Sequence, residues 1–246
     1  MRIYLFLALV FVLFTGCIRQ EFHQTVDKDG SSTLAATYDF AQFIELSSEY
    51  GAQYGMPGGI TQSAFAVQMQ ERCTAARQTN PSMECAVNGT TLQMTVPLEA
   101  DNPYYDFEVE ENLLFRTYRF TLHTVPLDRF DAGASVDERL EPPEPVDLTD
   151  KSKNAQQAQS LRLINGFAFT YAVEMPGSVV TATAGTYEAE IDGNTATFDM
   201  LEVLQDSAPL TVESQELNFF FLVAVVAVLL IVAVALAFLK HKKSSK

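Results

Sequence analysis

Phe167-Ala168-Phe169-Thr170-Tyr171-Ala172-Val173 runs into Glu174-Met175-Pro176-Gly177 and then into Ser178-Val179-Val180-Thr181-Ala182-Thr183-Ala184. In the first run Phe167, Phe169, Tyr171 and Val173 share one side and Ala168, Thr170 and Ala172 the other, the two-residue period of a strand with one buried face. The Pro-Gly pair supplies a turn, because proline presets the first central residue and glycine accepts positive φ at the second. A strand over Ser178 to Ala184, a hairpin turn at Asp192-Gly193 and a final strand over Ala196 to Val203 then complete a sheet.

Working towards the N-terminus, Leu113 to Val125 reads as a long strand with Leu114, Tyr118, Phe120 and Leu122 on one face and Thr117, Arg119, Thr121 and His123 on the other. One dry face and one wet face are typical of an antiparallel sheet. Asn88-Gly89 centres a hairpin between Ala86-Val87 and Thr91 to Val96, and Asn88-Gly89-Thr90 is also a glycosylation sequon. Further back, Glu21 to Val26 and Thr33 to Phe40 flank the turn Asp27-Lys28-Asp29-Gly30. That string resembles the start of a calcium loop but lacks the later acidic positions such a loop needs.

Two helices fit between these hairpins. Phe40, Phe43, Ile44, Ser47, Tyr50 and Tyr54 recur at three- and four-residue steps until the cluster Gly55 to Gly59 ends the pattern, and Thr61 to Gln78 repeats it through Phe65, Met69, Cys73 and Ala76. Cys73 thus faces inward. In an oxidising compartment Cys73 and Cys85 form an even pair once Cys17 is set aside, which implies a disulfide, with two buried thiols as the rival reading. The fold class expected is α+β, an antiparallel sheet packed with about two helices, plus one C-terminal transmembrane helix.

Residues 126–160 hold four prolines, eight acids and a single aromatic, Phe130, so they read as a disordered insertion unable to bury enough apolar surface. The ectodomain is therefore expected to comprise residues 17–125 and 161–204, followed by a polar stalk over 205–217. Residues 219–239 carry no charge, amide or proline. As a helix they would rise roughly 32 Å against a hydrocarbon core of about 30 Å, which predicts a span over 218–239 and a cytoplasmic basic tail over 240–246.

The N-terminus begins Met1-Arg2, continues with an apolar run to Phe14 and exits through Thr15-Gly16-Cys17. That is an export signal, expected over residues 1–16. Phe14-Thr15-Gly16-Cys17 resembles the lipobox of prokaryotic lipoproteins, which implies acylation of Cys17 and cleavage before it, against the plainer alternative of an ordinary signal peptide. With both ends agreeing, the cell membrane is the expected location, with the domain on the extracytoplasmic side.

The stretch from Arg19 to Glu216 holds all 31 acidic residues and only 11 of the 16 Lys and Arg, a net charge of about −20 that repels nucleic acid. His23 and His123 are its only histidines, and it contains no Gly-x-Ser-x-Gly, His-Glu-x-x-His or phosphate loop. No catalytic residue, metal ligand or cofactor is expected, and the chain reads as a non-enzyme.

Glu174-Met175-Pro176-Gly177-Ser178-Val179-Val180, Gly185 and Asp192-Gly193-Asn194-Thr195-Ala196-Thr197-Phe198-Asp199 together resemble the closing segment of the LppM-like lipoprotein ectodomains. That family shares a lipobox, an early strand pair around an Asp-Gly turn such as Asp29-Gly30, and a C-terminal span. The chain departs from it by placing Phe198 where the family tends to have Trp, by the cysteine pair and by the acidic insertion. The resemblance implies an apolar groove for lipid or glycolipid between sheet and helices. Phe40, Phe43 and Tyr50 with Phe167, Phe169 and Tyr171 would line it, although the same residues suit a core equally well. An anchored scaffold for a membrane protein complex is the alternative function.

Overall fold

The computed structural model describes residues 19–45, 61–126, 146–162, 168–218, 221, 223 and 225–233. The hairpin at Asp27 to Gly30 forms as expected, joining β1 (Arg19–Val26) to β2 (Ser32–Asp39), with Phe22 opposite Ala36. Asp29 closes the turn by accepting from the Ser31 amide at 3.0 Å and its hydroxyl at 2.7 Å, and these bonds hold its carboxyl below the usual carboxylate range. Gly30 sits at φ +87°, and a β-carbon there would lie 2.7 Å from a ring carbon of Phe107, so only glycine fits.

Residues 41–45 are helical, and α1 (Gln62–Thr79), β3 (Glu84–Asn88) and β4 (Thr91–Leu98) follow. Next come β5 (Tyr105–Glu111), β6 (Phe115–Leu122), β7 (Thr124–Val125), β8 (Val146–Asp147) and α2 (Lys151–Arg162). The chain continues through β9 (Ala168–Glu174), β10 (Ser178–Ala184), β11 (Tyr187–Glu188), β12 (Glu190–Asp192), β13 (Thr195–Asp199), α3 (Met200–Asp206) and β14 (Leu210–Leu217).

These strands make two principal sheets, one of seven strands in the order β12-β13-β9-β1-β2-β4-β3 and one of five in the order β11-β10-β14-β6-β5. All pairings are antiparallel except β1 with β9, which run parallel with Phe22 beside Tyr171. The alternating residues of both sheets enter one buried cluster. Phe22, Leu34, Val96, Tyr171 and Phe198 come from the larger sheet, and Tyr118, Phe120, Leu122, Leu210 and Val212 from the smaller. Each such large apolar side chain contributes about 2 to 3 kcal/mol by leaving water.

The architecture corrects the expected α+β class with one sheet and two packing helices, because the protein is mostly β, built as two facing sheets. α3 rests on β9, β11 and β13, with Met200, Val203 and Leu204 in the main core. α1 packs on the β3 margin, and α2 packs against α3. The sequence does not signal the second sheet, because its central strand, β14, coincides with the expected stalk. Only Leu210, Val212 and Ser214 of that strand turn inward, and Ser214 satisfies its buried hydroxyl by donating to the Pro176 carbonyl at 2.6 Å. The intervening residues are polar, so composition alone conceals the period.

The insertion expected over 126–160 is likewise ordered where it is described, in residues 146–160. β8 pairs with β7, Leu148 and Ala158 are buried, and Asn154 donates to the Asp147 carbonyl at 2.9 Å. Asp150 accepts from the amides of Ser152 and Lys153, capping α2. The strand expected over 196–203 stops at Asp199 for a similar reason, since its carboxylate accepts from the Leu201 amide at 2.9 Å and starts α3.

The expected transmembrane helix is also corrected: among the described residues no helix is long and apolar enough to cross a membrane. The signal over 1–16, Cys17 and the tail over 240–246 lie outside the described residues.

A polar strap joins the sheets at one end of the sandwich. Lys28 in the β1–β2 turn donates to Glu216 of β14 at 2.7 Å, and the Tyr118 hydroxyl donates to the other carboxylate oxygen at 3.0 Å. The Lys28 bond is the main cause of a Glu216 carboxyl held below its usual range.

Two outcomes are expected. Val212→Ala should cost about 2 kcal/mol of stability, whereas Thr211→Ala on the opposite face should stay within about 0.5 kcal/mol; thermal denaturation of both variants distinguishes a sandwich strand from a stalk. Because the folded-state pKa of Glu216 is depressed, its contribution is present above the unfolded carboxylate value of about 4.3 and is lost as pH falls through the lower folded value. Wild type should therefore melt above Glu216→Gln at neutral pH, with the gap closing in acid; a gap unchanged down to low pH would remove the strap from the account.

Candidate functional site

A second, smaller apolar cluster lies outside the main core. Ile44, Phe65 and Met69 are buried in it, with Phe40, Phe43, Val87 and Leu92 partly buried against them. It occupies the seam where the helical residues 41–45 and α1 meet the β3–β4 hairpin. The seam follows from local sequence chemistry. Asp39 accepts from the Ala41 amide at 2.9 Å and turns β2 into the 41–45 helix, while the Phe40 amide donates to the Thr90 carbonyl at 3.1 Å. Thr61 caps α1 by accepting from the Ala64 amide at 3.2 Å.

Two ties hold α1 to the sheet margin. Cys73 and Cys85 form the expected disulfide, with Cα atoms 5.5 Å apart. Arg77, one helical turn further on, donates to the Cys85 carbonyl. The disulfide closes a short loop, which in a chain-entropy account stabilises the fold by about 3 kcal/mol. Both sulfurs are buried, so the bond joins the seam to the core.

Aromatic contacts run from that core to the seam. Phe169 lies 5.3 Å from Phe22, Phe22 is 6.0 Å from Tyr38, Tyr38 is 6.4 Å from Phe40, and Phe40 is 4.8 Å from Phe65, centroid to centroid. Such offset and edge-on pairs are each worth about 0.5 to 1.5 kcal/mol beyond their area. Burial pushes the Tyr38 hydroxyl up to about 12, so it stays neutral and the row carries no charge. Beside the seam, Ala66, Val67, Gln70, Glu71, Thr74 and Val87 line a shallow hollow of roughly 410 Å³, and Val67 is 62% exposed.

The structure separates the six aromatics expected to line one groove. Phe40 and Phe43 sit at the seam, half-buried. Phe169 and Tyr171 are enclosed in the main core between the sheets, where the Tyr171 hydroxyl donates to Gln24 and burial raises its pKa far above the usual tyrosine value. Tyr50 and Phe167 lie outside the described residues. Asn88 is exposed at the end of β3, and Thr90 of the same sequon donates to Asp39 at 3.3 Å. Sequence reasoning omitted Phe65, Met69, Val87 and Leu92 from the groove. The helical period assigns the first two an inward face but leaves open which apolar layer they enter.

The motifs that carry the resemblance act as turns. Met175-Pro176-Gly177 links β9 of the large sheet to β10 of the small one, and a β-carbon at Gly177, φ +80°, would lie 2.5 Å from the Gln215 carbonyl oxygen. Asp192 to Thr195 turns β12 into β13, and the amides of Met175 and Val179 donate to the Asn194 and Gly193 carbonyls. The two turns therefore support one another at the point where the chain changes sheets.

A scan of protein-family models finds no match, and no curated protein matches the chain. Among solved structures, the chain is similar to the NMR structure of the folded domain of the Mycobacterium tuberculosis LppM protein. The identity is 9%, the TM-score is 0.27, and 82% of this chain and 90% of that one are covered. A likeness of that size carries no argument about what this chain does, and the LppM-like resemblance rests on the turn motifs themselves.

Proposed function

We propose that the chain is a non-enzymatic, extracytoplasmic envelope lipoprotein, acylated at Cys17, whose seam between α1 and the β3–β4 hairpin accepts an acyl chain of a lipid or glycolipid. The observation that carries this reading is a second apolar cluster lying apart from the main core, with Phe40 and Phe43 half-buried and an apolar hollow beside it. Apolar and aromatic linings of this kind suit acyl chains, for which polar groups supply orientation rather than binding energy. The resemblance of Phe14-Thr15-Gly16-Cys17 to a lipobox supports placement beside lipid, and the disulfide agrees with an oxidising exterior. The acidic surface, net −15 over the whole chain, makes an anionic headgroup the less favourable choice.

The full-length protein, purified in mild detergent and examined by native mass spectrometry, should carry lipid in excess of its own acyl modification. Phe43→Asp should lose that adduct while keeping its circular dichroism spectrum, and Cys17→Ser should lose only the covalent acyl mass. Wild-type protein free of adduct after incubation with envelope lipid extract refutes the acyl-chain seam, and a Cys17→Ser mass that differs only by the substitution refutes the lipid anchor.

A further inference from the structure

The turn between β5 and β6 presents apolar side chains to the outside on a backbone that is firmly held. Asn112 accepts from the amides of Leu114 at 3.0 Å and Phe115 at 2.7 Å, and its own amide donates to the Phe115 carbonyl at 2.9 Å. Leu113 is nevertheless 73% exposed and Leu114 51% exposed. Phe115 pairs across the sheet with Leu217, which is 59% exposed. A turn closed by polar bonds has no need of leucines at its tip, and ordinary turn chemistry selects Gly, Asn, Asp or Ser there.

Two observations indicate what covers this lip. The first is continuity: the Asn218 amide donates to the Leu114 carbonyl at 2.9 Å, which holds the lip beside the residue that precedes the uncharged run 219–239 in the sequence. The described helical residues of that run expose Val225, Val226, Val228, Leu229, Leu230, Ile231 and Val232, leaving no polar side for water. The second is charge. In a chain of net −15, the carboxylates next to the lip in sequence, Glu111 and Glu216, are paired with Arg116 and Lys28.

The geometry points to a membrane-docking lip formed by Leu113, Leu114, Phe115 and Leu217, which inserts into the interfacial layer of a lipid surface and fixes the tilt of the sandwich upon it. The lip is separate from the acyl-chain seam and needs neither that seam nor acylation of Cys17. With the two adjacent carboxylates paired, a zwitterionic surface is favoured over an anionic one, and aliphatic and aromatic side chains are those that settle at the boundary between headgroups and acyl chains.

The chain contains no tryptophan, so one introduced Trp is an unambiguous reporter. Full-length Leu113→Trp, reconstituted in phosphatidylcholine vesicles, should emit to the blue of its spectrum in detergent-free urea and be quenched several-fold more by brominated acyl chains than Glu188→Trp, whose strand pairs at the opposite end of the five-stranded sheet. Adding Leu114→Asp and Leu217→Asp to the reporter should reduce that quenching towards the control. Equal quenching at positions 113 and 188 overturns the proposal. So does a blue shift at 113 that ignores bromine and grows with protein-to-lipid ratio, which would assign the lip to a second copy of the chain.

Discussion

Two twisted sheets can share a core only if every polar group caught between them finds a partner, and one thread of side chains meets that condition here. Gln24, fully buried on β1, donates to Ser32 at 2.8 Å and accepts from Tyr171 on the neighbouring strand. Tyr105 on the edge of the opposite sheet donates to the Gly30 carbonyl at 2.7 Å and lies 3.0 Å from the Ser32 hydroxyl. Desolvation raises both tyrosines above the ordinary value, so the thread is neutral. Each bond contributes modestly, but a buried donor or acceptor left without its partner costs about 1 to 3 kcal/mol. The thread therefore fixes how the sheets register, since sliding one over the other would orphan several groups at once.

Much of the larger sheet is legible in the sequence because its turns announce themselves. Asp29-Gly30, Asn88-Gly89 and Asp192-Gly193 mark its reversals, Pro176-Gly177 marks the turn by which the chain leaves it, and the alternation from Ala168 to Val173 identifies β9. α1 is displaced by only one residue from its expected bounds. The smaller sheet is harder to read. β5 has an acidic outer face, and β14 has a serine among its inward residues, so neither shows the apolar count that usually signals a strand. Segregation into two sheets is a long-range decision, made by which strands pair, and local period contains no such information.

The expected groove shows the same limit at the level of single residues. Alternation assigns Phe169 and Tyr171 an inward face, and inward they are, yet inward means the sheet-to-sheet interior rather than a channel beside helices. Phe40 and Phe43 keep their helical-side position because β2 ends at Asp39, where a capping carboxylate bends the chain away from the sheet. Separation of core from seam thus depends on one aspartate and on the disulfide that keeps α1 beside β3. Two accessible apolar features of the sandwich are thus this seam and the β5–β6 tip.

The parallel partnership of β1 with β9 joins segments 149 residues apart, and it sits in the middle of the larger sheet. A nascent chain made from its N-terminus can close the β1–β2 and β3–β4 hairpins and bring β4 back to β2 across α1, but the outer margin of β1 must wait, bare, for most of the polypeptide to follow. Such an interval slows acquisition of the native state and offers a ready template for edge-on aggregation. The last pairing to close is thus the one that joins the two halves of the larger sheet.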